Sequence, residues 1–124
     1  MAAEQSVQVR PKKWLYPLIL VVLQHENYSG YEIMEHLQKE FGFEQIGPGT
    51  VDRTLRQMEE EEGLCKTEWE PLEGSNARMY AITKKGQVFL SAWVEACEQY
   101  RRVEETLSRV YRSKPSRSSS DQQG

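Results

Sequence analysis

An apolar seam near the C-terminus sets the strongest limit on the fold. Its residues recur at alternating steps of four and three positions, which is the spacing of a heptad repeat. The residues of this C-terminal seam are Phe89, Trp93, Ala96, Tyr100, Val103, Leu107 and Val110. The spacing predicts one long helix over residues 84–112, which Thr83 caps.

A helix of this length is too long for a single small domain to cover its whole apolar stripe. We therefore predict that the C-terminal seam is a dimer interface, covered by the same residues of a second copy in a homodimer. The alternative, which the sequence leaves open, is a seam that folds back on its own domain.

Composition and charge indicate one small domain with less structured ends. The chain has 124 residues, 38% of them apolar, and a formal net charge of −3. This length fits a single core. Residues 113–124 are rich in Ser, Gln, Lys, Arg and Pro, so we expect a disordered tail there. Positive charge concentrates in a basic N-terminal arm, residues 1–13, and around residues 78–85. Because the chain as a whole is negative, any nucleic acid would have to bind at such a local basic surface.

Several other classes of protein are disfavoured. The longest apolar run, residues 14–23, is about half of what a bilayer needs. The N-terminus lacks a charged segment followed by an apolar one, so we expect a cytoplasmic protein. Cys65 and Cys97 share no CxxC spacing and are predicted to be buried thiols, and His25 and His36 have no metal-ligand spacing. With no Gly-rich phosphate loop and no nucleophile elbow, we predict no enzyme, no cofactor and no metal.

Capping and breaking residues predict three helices in the first half of the chain. Pro17 fits the first turn of the first helix. Ser29 and Glu32 have the spacing of a capping box and predict the start of the second helix. Pro48 opens the third helix and Gly63 ends it.

Two short strands follow, over residues 64–71 and 77–83, with a turn at residues 72–76. Three helices and then a hairpin make a winged helix-turn-helix, in which the hairpin is the wing. We therefore predict a mainly α fold with a small β-hairpin. Residues 14–83 would form the winged-helix DNA-binding domain, and residues 84–112 would form the long C-terminal dimerisation helix.

The third predicted helix has two distinct faces. Val51, Leu55 and Met58 form its apolar face. The opposite face carries Thr50, Arg53, Arg56, Gln57 and Glu60. Arg and Gln are residue types that read base edges in the major groove, and a Thr near a helix N-terminus suits a phosphate. The alternative is a solvated face whose Arg and Gln side chains serve only solubility.

Six segments of the chain together form a specific set of motifs. They are Tyr16-Pro-Leu-Ile-Leu-Val-Val-Leu, Ser29-Gly-Tyr-Glu-Ile, Gly47-Pro-Gly-Thr-Val, Leu55-Arg-Gln-Met-Glu, Leu64-Cys-Lys-Thr-Glu-Trp-Glu and Tyr80-Ala-Ile-Thr-Lys-Lys-Gly. In these segments the chain resembles the PadR family of bacterial transcriptional regulators. The resemblance covers about residues 12–112. Within the family the chain looks most like the poly-β-hydroxybutyrate-responsive repressors of bacilli, through Arg10-Pro-Lys-Lys, Glu40-Phe-Gly-Phe-Glu and residues 93–100.

The resemblance implies a homodimer that binds double-stranded operator DNA at an inverted repeat. It also implies repression of polyhydroxybutyrate-related genes, relieved by an apolar effector or by the polyester itself. The family's recognition helix maps to Gly49, Thr50, Arg53, Arg56 and Gln57, and its basic wing residue maps to Arg78, with Lys84 and Lys85 behind it. Lys12 and Lys13 of the basic arm complete the predicted DNA-binding set.

The chain departs from the family pattern at two places. Asp52 stands where the family usually has Tyr, and a carboxylate facing phosphate would cost about 1–3 kcal/mol of binding free energy. Asp52 could instead pair with Arg56 one turn later. The run Glu59–Glu62 is one Glu longer than usual, and four like charges at a helix C-terminus oppose its dipole.

These departures support a second hypothesis, a winged-helix protein-interaction adaptor with weakened or no DNA binding. Asp52 and Glu59–Glu62 favour the adaptor. Arg53, Arg56, Arg78 and the basic arm favour DNA binding.

Some relatives hold flat apolar ligands between tryptophans of the last helix. The resemblance therefore predicts an effector pocket lined by Trp93, Phe89 and Ala96, which Trp14 and Tyr16 could close. The simpler interpretation of Trp93 is packing.

Overall fold

The computed structural model describes residues 11–72 and 75–114. The elements within them are α1 (Pro11–Val22), α2 (Gly30–Glu40), α3 (Pro48–Glu60), β1 (Cys65–Leu72), β2 (Ser75–Ile82) and α4 (Lys84–Ser113). This order confirms the predicted mainly α fold, a winged helix-turn-helix followed by a long C-terminal helix. Residues 1–10 of the predicted basic arm and residues 115–124 of the predicted disordered tail lie outside the described residues.

The chain divides into two compact units, one ending at Ser91 and the other beginning at Ala92. The first unit contains the hydrophobic core, which α1, α2 and α3 build together with the base of the hairpin. The fully buried members of this core are Ile19, Leu20, Leu23, Ile33, Leu37, Val51, Leu55, Met58, Leu64 and Cys65. The second unit contains the rest of α4.

The first helix begins earlier than the sequence predicts. Pro17 lies inside α1, so its assignment to the first turn is wrong, and Pro11 holds the starting position instead. The extension adds a buried apolar side chain to α1, because Leu15 is 2% exposed and belongs to the hydrophobic core. Pro11, Lys12 and Lys13 of the predicted basic arm therefore belong to α1.

Predicted caps define the second and third helices. The Ser29 hydroxyl accepts from the Glu32 N–H at 3.2 Å, and the Glu32 carboxylate accepts from the Ser29 N–H at 2.9 Å, so the capping box is confirmed. Pro48 begins α3 as predicted. Gly63 follows α3 with φ of 68°, a left-handed conformation that glycine adopts without strain.

The inner face of α3 matches its predicted apolar stripe. Val51, Leu55 and Met58 are each at most 1% exposed. Thr54, which the apolar spacing did not predict, is also buried. Its hydroxyl donates to the Thr50 carbonyl at 2.8 Å, which satisfies the polar group within the core.

The strands β1 and β2 pair antiparallel from Cys65–Ile82 to Leu72–Ser75. The pairing extends closer to the tip than predicted, because the ladder continues through residues assigned to the turn. Tyr28, just before α2, pairs with the outer edge of β2: the Tyr80 N–H donates to the Tyr28 carbonyl at 2.8 Å, and the Tyr28 N–H donates to the Tyr80 carbonyl at 3.3 Å.

The junction between β2 and α4 is tightly fixed. The Thr83 hydroxyl accepts from the Gly86 N–H at 3.0 Å, which confirms Thr83 as the cap of α4. The same hydroxyl donates to the Gly63 carbonyl at 2.7 Å, and the Thr83 N–H donates to the Leu64 carbonyl at 3.1 Å. Gly86 packs directly against the Leu64 backbone.

Candidate nucleic-acid interface

The outer face of α3 presents two arginines to solvent. Arg53 and Arg56 are both exposed, whereas Thr50 and Gln57 are half-buried. Arg53 donates from Nη2 to the Thr50 hydroxyl at 3.5 Å, which is a long and weak hydrogen bond. Gln57 accepts from the Tyr16 hydroxyl of α1, also at 3.5 Å. The structure therefore brings the predicted recognition residues onto one face, with the two guanidinium groups outermost.

Asp52 lies at the margin of this face and is exposed. Among residues 11–72 and 75–114 it forms no ion pair with Arg56, so the pairing that the sequence allowed is absent there. The Asp52 Oδ1 atom instead lies beside Gly30, the first residue of α2. Arg56 is therefore not neutralised by Asp52.

Arg78 lies on β2, directly opposite Trp69 of β1, and its side chain is 53% exposed. Its Nε and Nη2 atoms donate to the Thr67 hydroxyl at 3.3 and 3.2 Å. Nη2 also lies 3.7 Å from Glu59 Oε1, and the guanidinium carbon lies 5.2 Å from the centre of the Tyr80 ring. The wing arginine is therefore held in one orientation on the side of the hairpin that faces α3.

Glu59 contacts the wing, which the sequence did not predict. It belongs to the acidic run Glu59–Glu62, and its carboxylate accepts from both the N–H and the hydroxyl of Thr67, each at 3.0 Å. The alternation of β1 puts Thr67 on the face toward α3, but nothing in the sequence identifies which of four successive Glu residues reaches it.

The remaining predicted DNA-binding residues have different positions. Gly49 lies in the first turn of α3, where the free N–H groups of the helix favour a phosphate. Lys84 and Lys85 are exposed in the first turn of α4. Lys12 and Lys13 lie in the first turns of α1, and their side chains lie outside the described part of the structure.

The C-terminal seam is exposed along most of its length in the single chain. Tyr100 is 68% exposed, Val103 61%, Leu107 68% and Val110 39%. Ala96 is also exposed, whereas Phe89 and Trp93 are half-buried. No part of residues 92–114 is fully buried. The second unit therefore does not cover its own apolar stripe.

The residues predicted to form an effector pocket are divided between the two units. Trp14 and Phe89 belong to the first unit, where both are half-buried, and Trp93 belongs to the second. The ring of Tyr16 lies 6.3 Å from that of Phe89. Burial and the nearby Glu62 and Glu61 carboxylates raise the pKa of Tyr16, so its hydroxyl stays neutral and available as a donor.

The two cysteines differ from each other. Cys65 is buried, and burial, with a smaller contribution from Glu59, raises the pKa of its thiol to about 12. Cys97 is only half-buried, so the prediction of a buried thiol is wrong there. Its helix position beside the exposed seam explains the difference. The part of the chain that the structure describes contains no cluster of three or more His, Cys, Asp or Glu that could hold a metal. It also contains no helix long and apolar enough to cross a membrane.

Residues 19–92 match the model of the transcriptional regulator PadR-like family. A PadR-like transcriptional regulator from Bacillus cereus is similar, with a TM-score of 0.70, 26% identity and coverage of 78% of this chain and 93% of that one. No curated protein matches the sequence.

Two further solved structures show the same fold. A conserved protein of unknown function, described as a potential transcriptional factor, has a TM-score of 0.69 and 31% identity, covering 88% of this chain and 97% of that one. Bacillus subtilis PadR, solved in complex with operator DNA, has a TM-score of 0.59 and 24% identity, covering 68% of this chain and 48% of that one. The family model spans the winged helix and the start of α4, and the chain belongs to the PadR-like family of transcriptional regulators.

Proposed function

We propose that this protein is a homodimeric, operator-binding repressor. The observation that carries the proposal is the two-faced helix α3, whose inner face is buried and whose outer face presents Arg53 and Arg56 to solvent. A helix of this kind fits the major groove, which is about 12 Å wide, and Arg is the residue that most often reads guanine there. Membership of the PadR-like family supports the same role. Such a repressor acts on the chromosome, in the cytoplasm.

The proposal includes a second copy of the chain. The C-terminal seam leaves Tyr100, Val103 and Leu107 more than half exposed, and a matching seam would cover them. In a two-fold dimer the two α3 helices would enter successive major grooves about 34–36 Å apart, so the operator would be an inverted repeat.

The regulated genes and the effector form the finer part of the proposal. The motifs shared with poly-β-hydroxybutyrate-responsive repressors support control of polyhydroxybutyrate-related genes, with release of DNA by the polyester or an apolar relative. Trp14, Phe89 and Trp93 are the aromatic side chains that we assign to such an effector. The direct check is operator release on addition of polyhydroxybutyrate granules, with bare latex particles as the control.

The experiment that tests DNA binding is a salt titration. Upstream DNA of the neighbouring genes is searched for an inverted repeat, and affinity for this duplex and for a scrambled one is measured at increasing salt. A repressor binds the repeat at least about 1,000-fold more tightly than the scrambled duplex and loses affinity steeply with salt.

One outcome would favour the adaptor. If affinity for every duplex is no better than about 10⁻⁴ M at physiological salt, Asp52 and the acidic end of α3 have removed DNA binding. The adaptor function is then the better conclusion.

A further inference from the structure

The carboxylate of Glu59 joins the end of α3 to the wing. Among residues 11–72 and 75–114 the sheet consists of β1 and β2, so one edge of β1 has no strand beside it there. Thr67 pairs with Tyr80, whose own N–H and carbonyl are bonded to Tyr28 on the far side. Thr67 and Tyr80 therefore form a non-hydrogen-bonded pair, and the Thr67 N–H points away from β2. Glu59 Oε2 accepts from it at 3.0 Å.

A second contact continues from Glu59 to Arg78 through the hydroxyl of Thr67. An ionised carboxylate can only accept, so the Thr67 hydroxyl donates its single hydrogen to Glu59 Oε1, at 3.0 Å. Its lone pairs then face Arg78, whose Nε and Nη2 atoms lie 3.3 and 3.2 Å away. The direction of each of these hydrogen bonds follows from the two end groups, because the Glu59 carboxylate only accepts and the Arg78 guanidinium only donates.

The contact leaves Arg78 able to bind something else. A guanidinium has five N–H donors, and those on Nε and Nη2 account for at most three of them. The two donors on Nη1 take no part in the contacts with Thr67 and Glu59 among the described residues. The contacts with Thr67 and Glu59 orient the guanidinium through Nε and Nη2, and the side chain is still 53% exposed to solvent.

We infer that Glu59 is a positioning residue for DNA: it fixes the wing against α3 and aims Arg78 at a backbone phosphate beside the groove that α3 enters. The inference rests on the proposed DNA-binding function. It also reverses the role that simple electrostatics assigns to Glu59, since a carboxylate near a polyanion should weaken binding. A group that orients an arginine lowers the entropy lost on binding instead.

The sign of one substitution separates the two roles. Glu59→Ala removes a negative charge, which by itself would tighten binding to duplex DNA. If Glu59 positions Arg78, the same change weakens operator binding by about tenfold and flattens the salt slope by about one unit, because a phosphate contact is lost. Glu62→Ala is the matched control, because Glu62 belongs to the same acidic run, is exposed beyond the end of α3 and has the same charge. It should leave affinity unchanged or tighten it slightly.

Two further variants complete the test. Glu59→Gln keeps an acceptor oxygen for Thr67 and should recover part of the lost affinity. In an Arg78→Ala background, Glu59→Ala should cost no further affinity, because the residue that it orients is absent. Tighter operator binding by Glu59→Ala, or an equal loss in both backgrounds, would overturn the inference.

A measurement without DNA keeps this test apart from the proposed function. Hydrogen exchange of the Thr67 amide should be at least about tenfold faster in Glu59→Ala than in the parent protein and unchanged in Glu62→Ala. If the parent protein binds no duplex but the Thr67 amide behaves in this way, the contact stands and the DNA-binding proposal fails. If operator binds and exchange at Thr67 is the same in all variants, the positioning role is wrong.

Discussion

Asp52 of α3 lies against Gly30 at the start of α2, with its Oδ1 atom 3.4 Å from the point that a Cβ on Gly30 would occupy. The first N–H groups of a helix carry a partial positive charge, which favours a carboxylate there. Asp52 also helps to raise the pKa of Tyr80, though burial of that ring is the larger cause. This acidic residue therefore lies against the N-terminus of α2, between the two helices of the helix-turn-helix.

Asp52→Tyr should tighten operator binding by about 1–3 kcal/mol, because a repulsive carboxylate is replaced by a hydroxyl that can donate to a phosphate. It should also lower the free energy of unfolding by about 0.3–1 kcal/mol, because the favourable charge beside α2 is lost. Fluorescence anisotropy with operator DNA and urea unfolding check the two effects. Asp52→Asn separates them, since it removes only the charge. Equal affinity in all three proteins would show that this position does not face DNA.

Arg56→Ala should weaken operator binding, flatten the salt slope by about one unit and relax the preference for one base pair. The side chain is exposed and unpaired with Asp52 in the described structure, so stability should not change. Arg112→Ala, in the last turn of α4, removes the same charge outside the winged helix and serves as the control. A loss of affinity as large in the control would mean that Arg56 contributes only net charge.

Gly86→Ala should destabilise the first unit by about 1–3 kcal/mol, because a Cβ there would overlap the Leu64 carbonyl oxygen and lie 2.9 Å from Ile82 Cγ1. The Leu64 carbonyl cannot move away easily, since it accepts from Thr83. Thermal unfolding measures the effect. Gly49→Ala is the control, because a Cβ on Gly49 would lie 3.7 Å from Arg53, an ordinary contact. This substitution should raise the free energy of unfolding by up to about 1 kcal/mol through helix propensity. Equal melting temperatures for the two variants would contradict the packing argument.

Leu107→Lys should convert the proposed dimer into a monomer, since it places a charge in the middle of the C-terminal seam. Sedimentation velocity at micromolar concentration measures the change. Glu105→Lys adds the same side chain on the opposite face of α4 and should leave the dimer intact. A dimer that survives Leu107→Lys would show that the chain associates through another surface.

Stability should fall at alkaline pH because of Cys65. Its folded pKa of about 12 lies above the ordinary value for a thiol, so the folded state holds the proton more tightly than the unfolded state does. The resulting stability is complete below about pH 8.5 and is lost as the pH rises toward 12. Urea unfolding at about pH 8 and pH 10.5 should show this decline, and a smaller decline in Cys65→Ala. Cys97→Ala should decline like the parent protein, and identical slopes in all three would exclude Cys65 as the cause.

The sequence predicted the elements that are defined by local chemistry. Ser29 with Glu32, Pro48, Gly63 and Thr83 all act through bonds or backbone angles within a few residues, and each lies where it was expected. The apolar stripe of α3 was also predicted from the sequence, because buried side chains recur with the period of the helix. The C-terminal seam was found in the same way.

Tertiary contacts were not predictable in this way. The extension of α1 before Pro17 depends on where Leu15 enters the core, which no local rule states. Asp52 meets Gly30 only because α2 and α3 cross at that point. The contact of Glu59 with Thr67 joins a helix end to a strand edge, and four consecutive glutamates look alike until the chain folds.

Both borders of the hairpin are occupied near its base, one by the Tyr28 backbone and the other by the Glu59 side chain. Unpaired strand borders are where chains recruit foreign strands and begin to aggregate. In the part of the chain that the structure describes, the sheet has two strands, and each strand has one border that no other strand covers. Tyr28 and Glu59 therefore leave fewer free backbone groups at these borders for a foreign strand to pair with.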